Sequence, residues 1–202
     1  MNPSRLFLLV VAGCCLFSPR LLLAQAPPFT PDKQYSADEV ITTKDGTSVT
    51  VKAYMDNGKM RNEMNTHGMN VVSIIRPDEK KMYSVMPAQK MVMEMPLDPE
   101  KMKAKMPSTS GDDGKFELVG PDMVDGAACT KYKMTSKDNK VFFWWVKDAT
   151  KAPVKMTSDD GSFTIVWKNY KAGPQDAALF EPPAGYQVMN MPSGMGMPGG
   201  GQ

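Results

Sequence analysis

The 202-residue sequence contains one histidine and three cysteines. Cys14 and Cys15 fall in the first apolar run, so Cys129 stands alone in the body of the chain with no internal disulfide partner. The fold must therefore be held by its core. The motifs G-x-S-x-G, H-E-x-x-H and C-x-x-C are all missing, and a single histidine cannot build a His-based zinc cluster. Acidic pairs such as Asp159-Asp160 lie in turn sequences, where solvation and turn formation account for them. Cys129 sits near the start of a strand, far in sequence from His67, and reads as a small buried hydrophobe rather than a nucleophile. No catalytic residue and no cofactor is expected, which argues against an enzyme. The net charge is only +2, and the lysines are spread along outward strand positions instead of clustering, so nucleic acid is excluded as a partner. No apolar run is long enough to span a bilayer as a helix, and solenoid-type repeats are absent.

What is present begins with an address. Arg5 precedes an apolar run of residues 6–17, Pro19-Arg20 breaks it, and Ala24-x-Ala26 offers small-residue cleavage positions. Pro27 disfavours cleavage after Ala26, so residues 1–24 are expected to leave as a signal peptide and the chain to be exported to the periplasm. The alternative is a lipid anchor at Cys14, since Val11-Ala12-Gly13-Cys14 has the form of a lipobox. Residues 25–34 read as an extended, proline-rich lead-in.

From residue 35 the pattern is that of short strands and tight turns. Asp45-Gly46 and Asn57-Gly58 are hairpin signals, because a type I′ turn needs positive φ at both central residues. Between them Val49, Val51, Ala53 and Met55 alternate with Thr50, Lys52, Tyr54 and Asp56, giving one apolar and one solvated face. Met60 and Met64 continue the inward set, as do Met91, Met93 and Met95. Residues 97–106 predict the one helix, with Asp98 as N-cap, Pro99 at the first helical position, and Met102 and Met106 sharing a face. Residues 108–115 read as a polar loop, and strands resume at Phe116. Residues 141–146 form the most aromatic stretch, and their unbroken apolarity predicts cover on both faces. Residues 175–180 suggest one helical turn before Pro182-Pro183, and 189–202 form a Met/Gly/Pro-rich tail expected to be disordered.

Several pieces resemble a known exported family, domain of unknown function 4412. They are Tyr35-Ser36-Ala37-Asp38-Glu39-Val40, the stretch Asp56-Asn57-Gly58-Lys59-Met60-Arg61-Asn62-Glu63-Met64, and Ile74-Ile75-Arg76-Pro77-Asp78-Glu79-Lys80-Lys81-Met82-Tyr83. The aromatic strand followed by Lys147-Asp148-Ala149-Thr150, and the ending from Gly173-Pro174 to Gly185-Tyr186, are similar to its second half. The resemblance implies a LolA/LolB-like fold over residues 35–188: mainly β, a curved antiparallel sheet in a half-barrel with one or two short covering helices. In lipoprotein carriers that concavity holds acyl chains.

Nineteen methionines need a physical account, and plain packing of the core is one reading of them. Methionine is unbranched and polarizable, so a wall of it adapts to ligands of varied shape. The expected function is non-enzymatic binding of an apolar molecule (a lipid or acyl chain) or of an envelope protein partner. The expected contacts are Met60, Met91, Met93, Met102, Met106, Trp144 and Trp145, with the helix acting as a lid on the aromatic strand. Thioethers also select Cu(I), and Met64, His67 and Met69 in a turn, with tail Met189, Met191, Met195 and Met197, form the alternative copper set. Met91, Met93 and Met95 along one strand stand about 6–7 Å apart, too far for neighbouring sulfurs to meet unaided. The leader generates a first prediction. The mature protein begins at Gln25 and carries no diacylglyceryl group, and an N-terminal mass starting at an acylated Cys14 would overturn this.

Overall fold

The protein is represented by a computed structural model that describes residues 32–66, 68–105, 114–136 and 138–191. The leader, most of the lead-in, His67, Met106, Met195 and Met197 lie outside the described residues. The first half of the chain contributes β1 (Gln34–Thr43), β2 (Ser48–Asp56), β3 (Lys59–Thr66), β4 (Met69–Arg76), β5 (Lys81–Met86) and β6 (Met91–Pro96). After helix α1 (Pro99–Lys105) come β7 (Gly114–Val124), β8 (Ala127–Ser136), β9 (Val141–Lys147), β10 (Pro153–Ser158), β11 (Phe163–Ala172) and the short β12 (Gln187–Asn190). All twelve strands join one open, curved sheet in the order β12-β6-β5-β4-β3-β2-β1-β11-β10-β9-β8-β7.

The topology is two meanders joined at the middle. The chain winds outward from β1 to β6, passes to the opposite edge at β7, and winds back until β11 pairs with β1. The edges β12 and β7 are not neighbours, so the sheet does not close into a barrel. Turn chemistry sets the hairpins. Asn57-Gly58 has φ of 49° and 93°, the doubly positive pair a type I′ turn requires, and Asp125-Gly126 repeats it at 47° and 77°. Asp45-Gly46 departs from that expectation, since only Gly46 has positive φ. There the Asp45 carboxylate accepts from the Thr47 N–H at 3.0 Å and from the Thr43 hydroxyl at 2.6 Å, which stabilises a longer loop instead.

Strand register sorts the side chains into two faces. One carries Val72, Ile74, Tyr83, Val85 and Val92, which pack under Leu179, Phe180 and Tyr186. These last three belong to a strap, residues 173–186, that runs back over the sheet and includes the 3-10 turn Ala177–Phe180. The strap is bolted down by arginines. The Arg61 guanidinium donates to the Leu179 carbonyl at 3.0 Å, and Arg76 donates to the Phe180 carbonyl at 3.3 Å. Arg76 is buried, and its charge is met by Asp78, Glu79 and Glu181. The strap delivers the chain to the end of the sheet where β6 begins, with the Gln187 N–H on the Lys90 carbonyl. For that reason β12 runs parallel to β6, the single parallel pairing among the described strands. It also carries ordered pairing through Asn190, past the tail boundary read at Met189.

The other face holds the second core. Phe116, Met134, Phe142, Trp144, Val146 and Met156 are buried together, with Phe163, Ile165 and Trp167 against them. Every one of these residues comes from β7 to β11, so at this end the sheet curls over its own side chains. Truncating the strap's anchor tests this arrangement. Phe180→Ala should cost about 3–4 kcal/mol through the lost burial and cavity. Arg76→Ala should cost about 2 kcal/mol by leaving charged partners and a carbonyl unmatched. The Arg76 guanidinium also holds the Asp78 carboxyl below the usual carboxylate range. That contribution is present above about pH 4 and lost as the pH falls through the depressed folded value. Urea midpoints measure all three effects, and an unchanged Arg76→Ala midpoint would show that the strap does not rest on this residue.

Candidate functional site

On the half of the sheet opposite the strap, the register lays three parallel rows across the strands. The first runs Tyr35, Met55, Met60, Ile75, Met82 and Met95. The second runs Ala37, Ala53, Asn62, Ser73 and Ser84, then meets Met93 and Met189. Beyond it, Val51 pairs with Met64 and Met64 with Val71, while Met86 pairs with Met91. Small side chains thus lie between two rows of long, flexible ones. The result is a lane of Ala, Asn and Ser between walls that are mainly thioethers, a trough whose floor at Ala37, Ala53 and Ser84 is buried beneath those side chains. From Ala37 to Ser84 it crosses five strands, about 19 Å at the usual strand spacing. The wall methionines are mostly half-buried, neither sealed in a core nor free in solvent.

The trough's far end, at the junction of β1 and β11, has a different chemistry. Tyr35 stacks on Tyr170 with ring centroids 5.0 Å apart, and the Tyr170 hydroxyl donates to Asp32 at 2.8 Å. Opposite them, the Trp167 indole N–H donates to the Glu39 carboxylate at 3.0 Å. Burial raises the Glu39 pKa, and the Trp167 hydrogen bond offsets part of that rise. A β-bulge lies here, where the pairing of β1 with β11 slips between Ser36 and Asp38, and it re-aims the side chains at this point. From Trp167 the same face continues without interruption into the aromatic core, since Trp167 stacks on Trp144 at 5.7 Å.

The structure separates several of the residues expected to act together. Met60, Met91 and Met93 do share the trough face. Trp144 is on that face too, but buried in the aromatic cluster at the other half of the sheet. Trp145 points to the opposite side, where lysine side chains supply cover. Its ring lies under the ammonium groups of Lys131 and Lys155, at 4.7 and 4.6 Å from the centroid, and its N–H donates to Asp122 at 2.7 Å. Long lysine stems can shield an aromatic while keeping the charge in water, a form of cover that the apolar pattern of one strand does not reveal. Helix α1 forms as expected, with the Asp98 carboxylate accepting from the Glu100 and Lys101 N–H groups, and Met102 is partly buried on it. It follows β6 in the chain, and none of its described side chains belongs to the aromatic cluster. Met106, the second residue of the expected lid, lies outside the described residues. Of the alternative copper set, Met64 and Met69 face each other only obliquely across the β3–β4 hairpin, where Met69 pairs with Thr66 and is exposed. Cys129 is fully buried, with burial raising its thiol pKa, as suits a small hydrophobe.

Among the described residues, no group of three or more His, Cys, Asp or Glu is placed to hold a metal ion, and no helix is long and apolar enough to cross a membrane. The class that fold and face define is a single open, curved sheet with one apolar side walled by adaptable side chains. An uncharacterized conserved protein from Thermus thermophilus is similar at a TM-score of 0.56 and 13% identity, covering 79% of this chain and 91% of that one. The Mycobacterium tuberculosis lipoprotein LppX is similar at a TM-score of 0.48 and 12% identity, covering 71% and 89%. The Thermus likeness shows the fold alone. No curated protein matches the chain. A family model matches residues 39–152, more than half of the sequence, and the chain belongs to that family, described as domain of unknown function (DUF4412).

Glu39 supplies the test of this site's electrostatics. Glu39→Gln keeps an acceptor for the Trp167 N–H and removes the desolvated charge. Because the folded-state pKa is raised above the ordinary 4.5, the folded chain binds this proton more tightly than the unfolded chain does. Wild-type stability therefore falls as the pH rises from about 4 through the raised value, and the variant escapes that loss. The variant should be the more stable at pH 7 and equal to wild type at low pH. Equal urea midpoints at pH 7 would show that the carboxylate carries no burial penalty.

Proposed function

We propose that this protein works in the cell envelope as a non-enzymatic carrier or holder of a chain-like apolar molecule, bound across the methionine face. The observation that carries the reading is the row pattern: a floor of Ala37, Ala53, Asn62, Ser73 and Ser84 between walls containing Met55, Met60, Met82 and Met64. Among the described residues the one covering strap is committed to the opposite face by Arg61 and Arg76, so no strap residue seals the trough. Half-buried methionines lose little on re-forming around a guest, because three rotatable bonds let each follow the ligand's contour. A linear guest lying along the floor would bury its methylenes against thioethers and end at the Tyr35, Glu39 and Trp167 end, where a polar head group finds hydrogen-bonding partners. The leader sequence, with its expected cleavage after Ala24, supports export, and a periplasmic location agrees with the family resemblance.

A fluorescent fatty-acid probe tests the reading below its micelle concentration, with Trp144 and Trp167 as intrinsic reporters on the same face. Ser73 is only partly buried, so Ser73→Phe can fill the trough without adding charge or displacing the strap. Wild type should bind the probe, and Ser73→Phe should weaken it by roughly tenfold or more, the loss expected when about 1.4 kcal/mol of contact is blocked. Failure of wild type to bind, or an unchanged affinity in Ser73→Phe, would overturn the trough as the binding site.

A further inference from the structure

The pairing of β5, β6 and β12 brings thioethers together in a way that spacing along one strand does not. Met82 is directly opposite Met95, and Met93 is directly opposite Met189. Met93 and Met95 are two residues apart on β6, so all four side chains project from the same face of three adjacent strands. Residues directly opposite in a sheet have Cβ atoms about 5 Å apart. Successive same-face residues of one strand are about 6.6 Å apart. Each sulfur stands two bonds beyond its Cβ on a freely rotating stem, which is reach enough for the sulfurs of Met82, Met93 and Met95 to converge on one point beside β6, with Met189 at its edge next to Met93. Met82, Met93 and Met95 are half-buried and Met189 is 43% exposed, so solvent has access to this corner of the sheet.

We infer that Met82, Met93 and Met95, with Met189 at the rim, form a binding site for a soft monovalent metal ion, Cu(I), at the β5–β6–β12 corner of the methionine face. The donor chemistry selects the ion. Thioethers are neutral and soft, so they compete poorly with water for hard or divalent cations and well for Cu(I). A monovalent ion also brings the smallest charge onto a largely apolar surface, where desolvation is costly. The one cysteine of the folded body, Cys129, is buried on β8 and cannot take part. The site also differs from one built on histidine or thiolate in its protons. Thioethers do not titrate, so uptake releases no proton and the affinity stays flat across the range in which histidine changes charge. This site shares a face with the proposed apolar trough but does not depend on it.

The experiment is competition for Cu(I), kept reduced by ascorbate, between the full-length mature chain and the chelator bicinchoninate. Wild type should take up one Cu(I) per chain with an affinity that is unchanged between about pH 5 and pH 8. Leucine keeps the wall apolar and nearly the same volume, so the triple variant Met82→Leu, Met93→Leu, Met95→Leu should fold. It should lose Cu(I) affinity by roughly 100-fold or more, whereas Ser73→Phe, which blocks the trough but supplies no donor, should leave Cu(I) uptake unchanged, and this separates the inference from the carrier reading. The exposed Met189→Leu, which touches no core cluster, should weaken Cu(I) by a smaller factor and guards against a folding defect in the triple variant. Removal of residues 192–202 should change nothing. No uptake by wild type, unchanged affinity in the triple variant, loss of the metal with residues 192–202, or an affinity that collapses as histidine protonates would each overturn the site.

Discussion

A single sheet has two faces, and the position of Arg76 decides how this chain covers them. Its buried guanidinium gathers Asp78, Glu79, Glu181 and the Phe180 carbonyl, tying the end of β4 to residues about a hundred positions later. A buried cation left unmatched would be costly, so the strap is needed by Arg76 as much as Arg76 is needed by the strap. With Phe180 fully buried beneath it, this knot gives the first meander its only second layer among the described residues. It also determines where β12 starts, and hence why the last strand joins β6 in parallel.

Once the strap lies on one side, the other side has to be covered by its own residues. The two halves of the sheet do so differently. At the aromatic end, large rings from β7, β8, β9 and β11 pack together around Met156 of β10, with Trp144 on Trp167 and Phe142 near Phe163, and the curl buries this cluster. At the other end the side chains are thioethers and small polar groups, which cannot form so tight a cluster and remain half open. Adaptability is thus concentrated where packing is loosest. The junction between the two regimes is β1, whose Glu39 carries a raised pKa at the one point where a carboxylate enters the apolar face among the described residues.

Beyond ordinary core packing, the methionine count was open to two accounts, a soft wall for apolar chains and a soft set of donors for a metal. Both draw on the same surface. Strand alternation alone argued against metal, because Met91, Met93 and Met95 are too widely spaced along β6. Cross-strand pairing changes that arithmetic by adding Met82 and Met189 as neighbours at shorter range. The turn set of Met64, His67 and Met69 loses ground by the same reasoning, since register opposes Met69 to Thr66 and not to another sulfur.

The mainly β class, the meander of the first half, the inward set from Met55 to Met95 and the capped helix at Asp98 are legible in the chain alone, because they rest on local periodicity and turn chemistry. So is the family resemblance. Even at this level one turn was misread at Asp45 and one type I′ turn, Asp125-Gly126, was passed over, since loop length and not the dipeptide alone selects the turn. Which strands become neighbours, and therefore which residues form a row, was set by tertiary pairing. A strand's alternation states which side chains share a face but not what stands beside them. So the small-residue floor, the pairing of Met82 with Met95, the lysine cover on Trp145 and the strap locked by Arg61 and Arg76 were not legible in the chain. Each joins residues on separate strands, some more than a hundred positions apart, and only the continuous register of twelve strands brings them within reach.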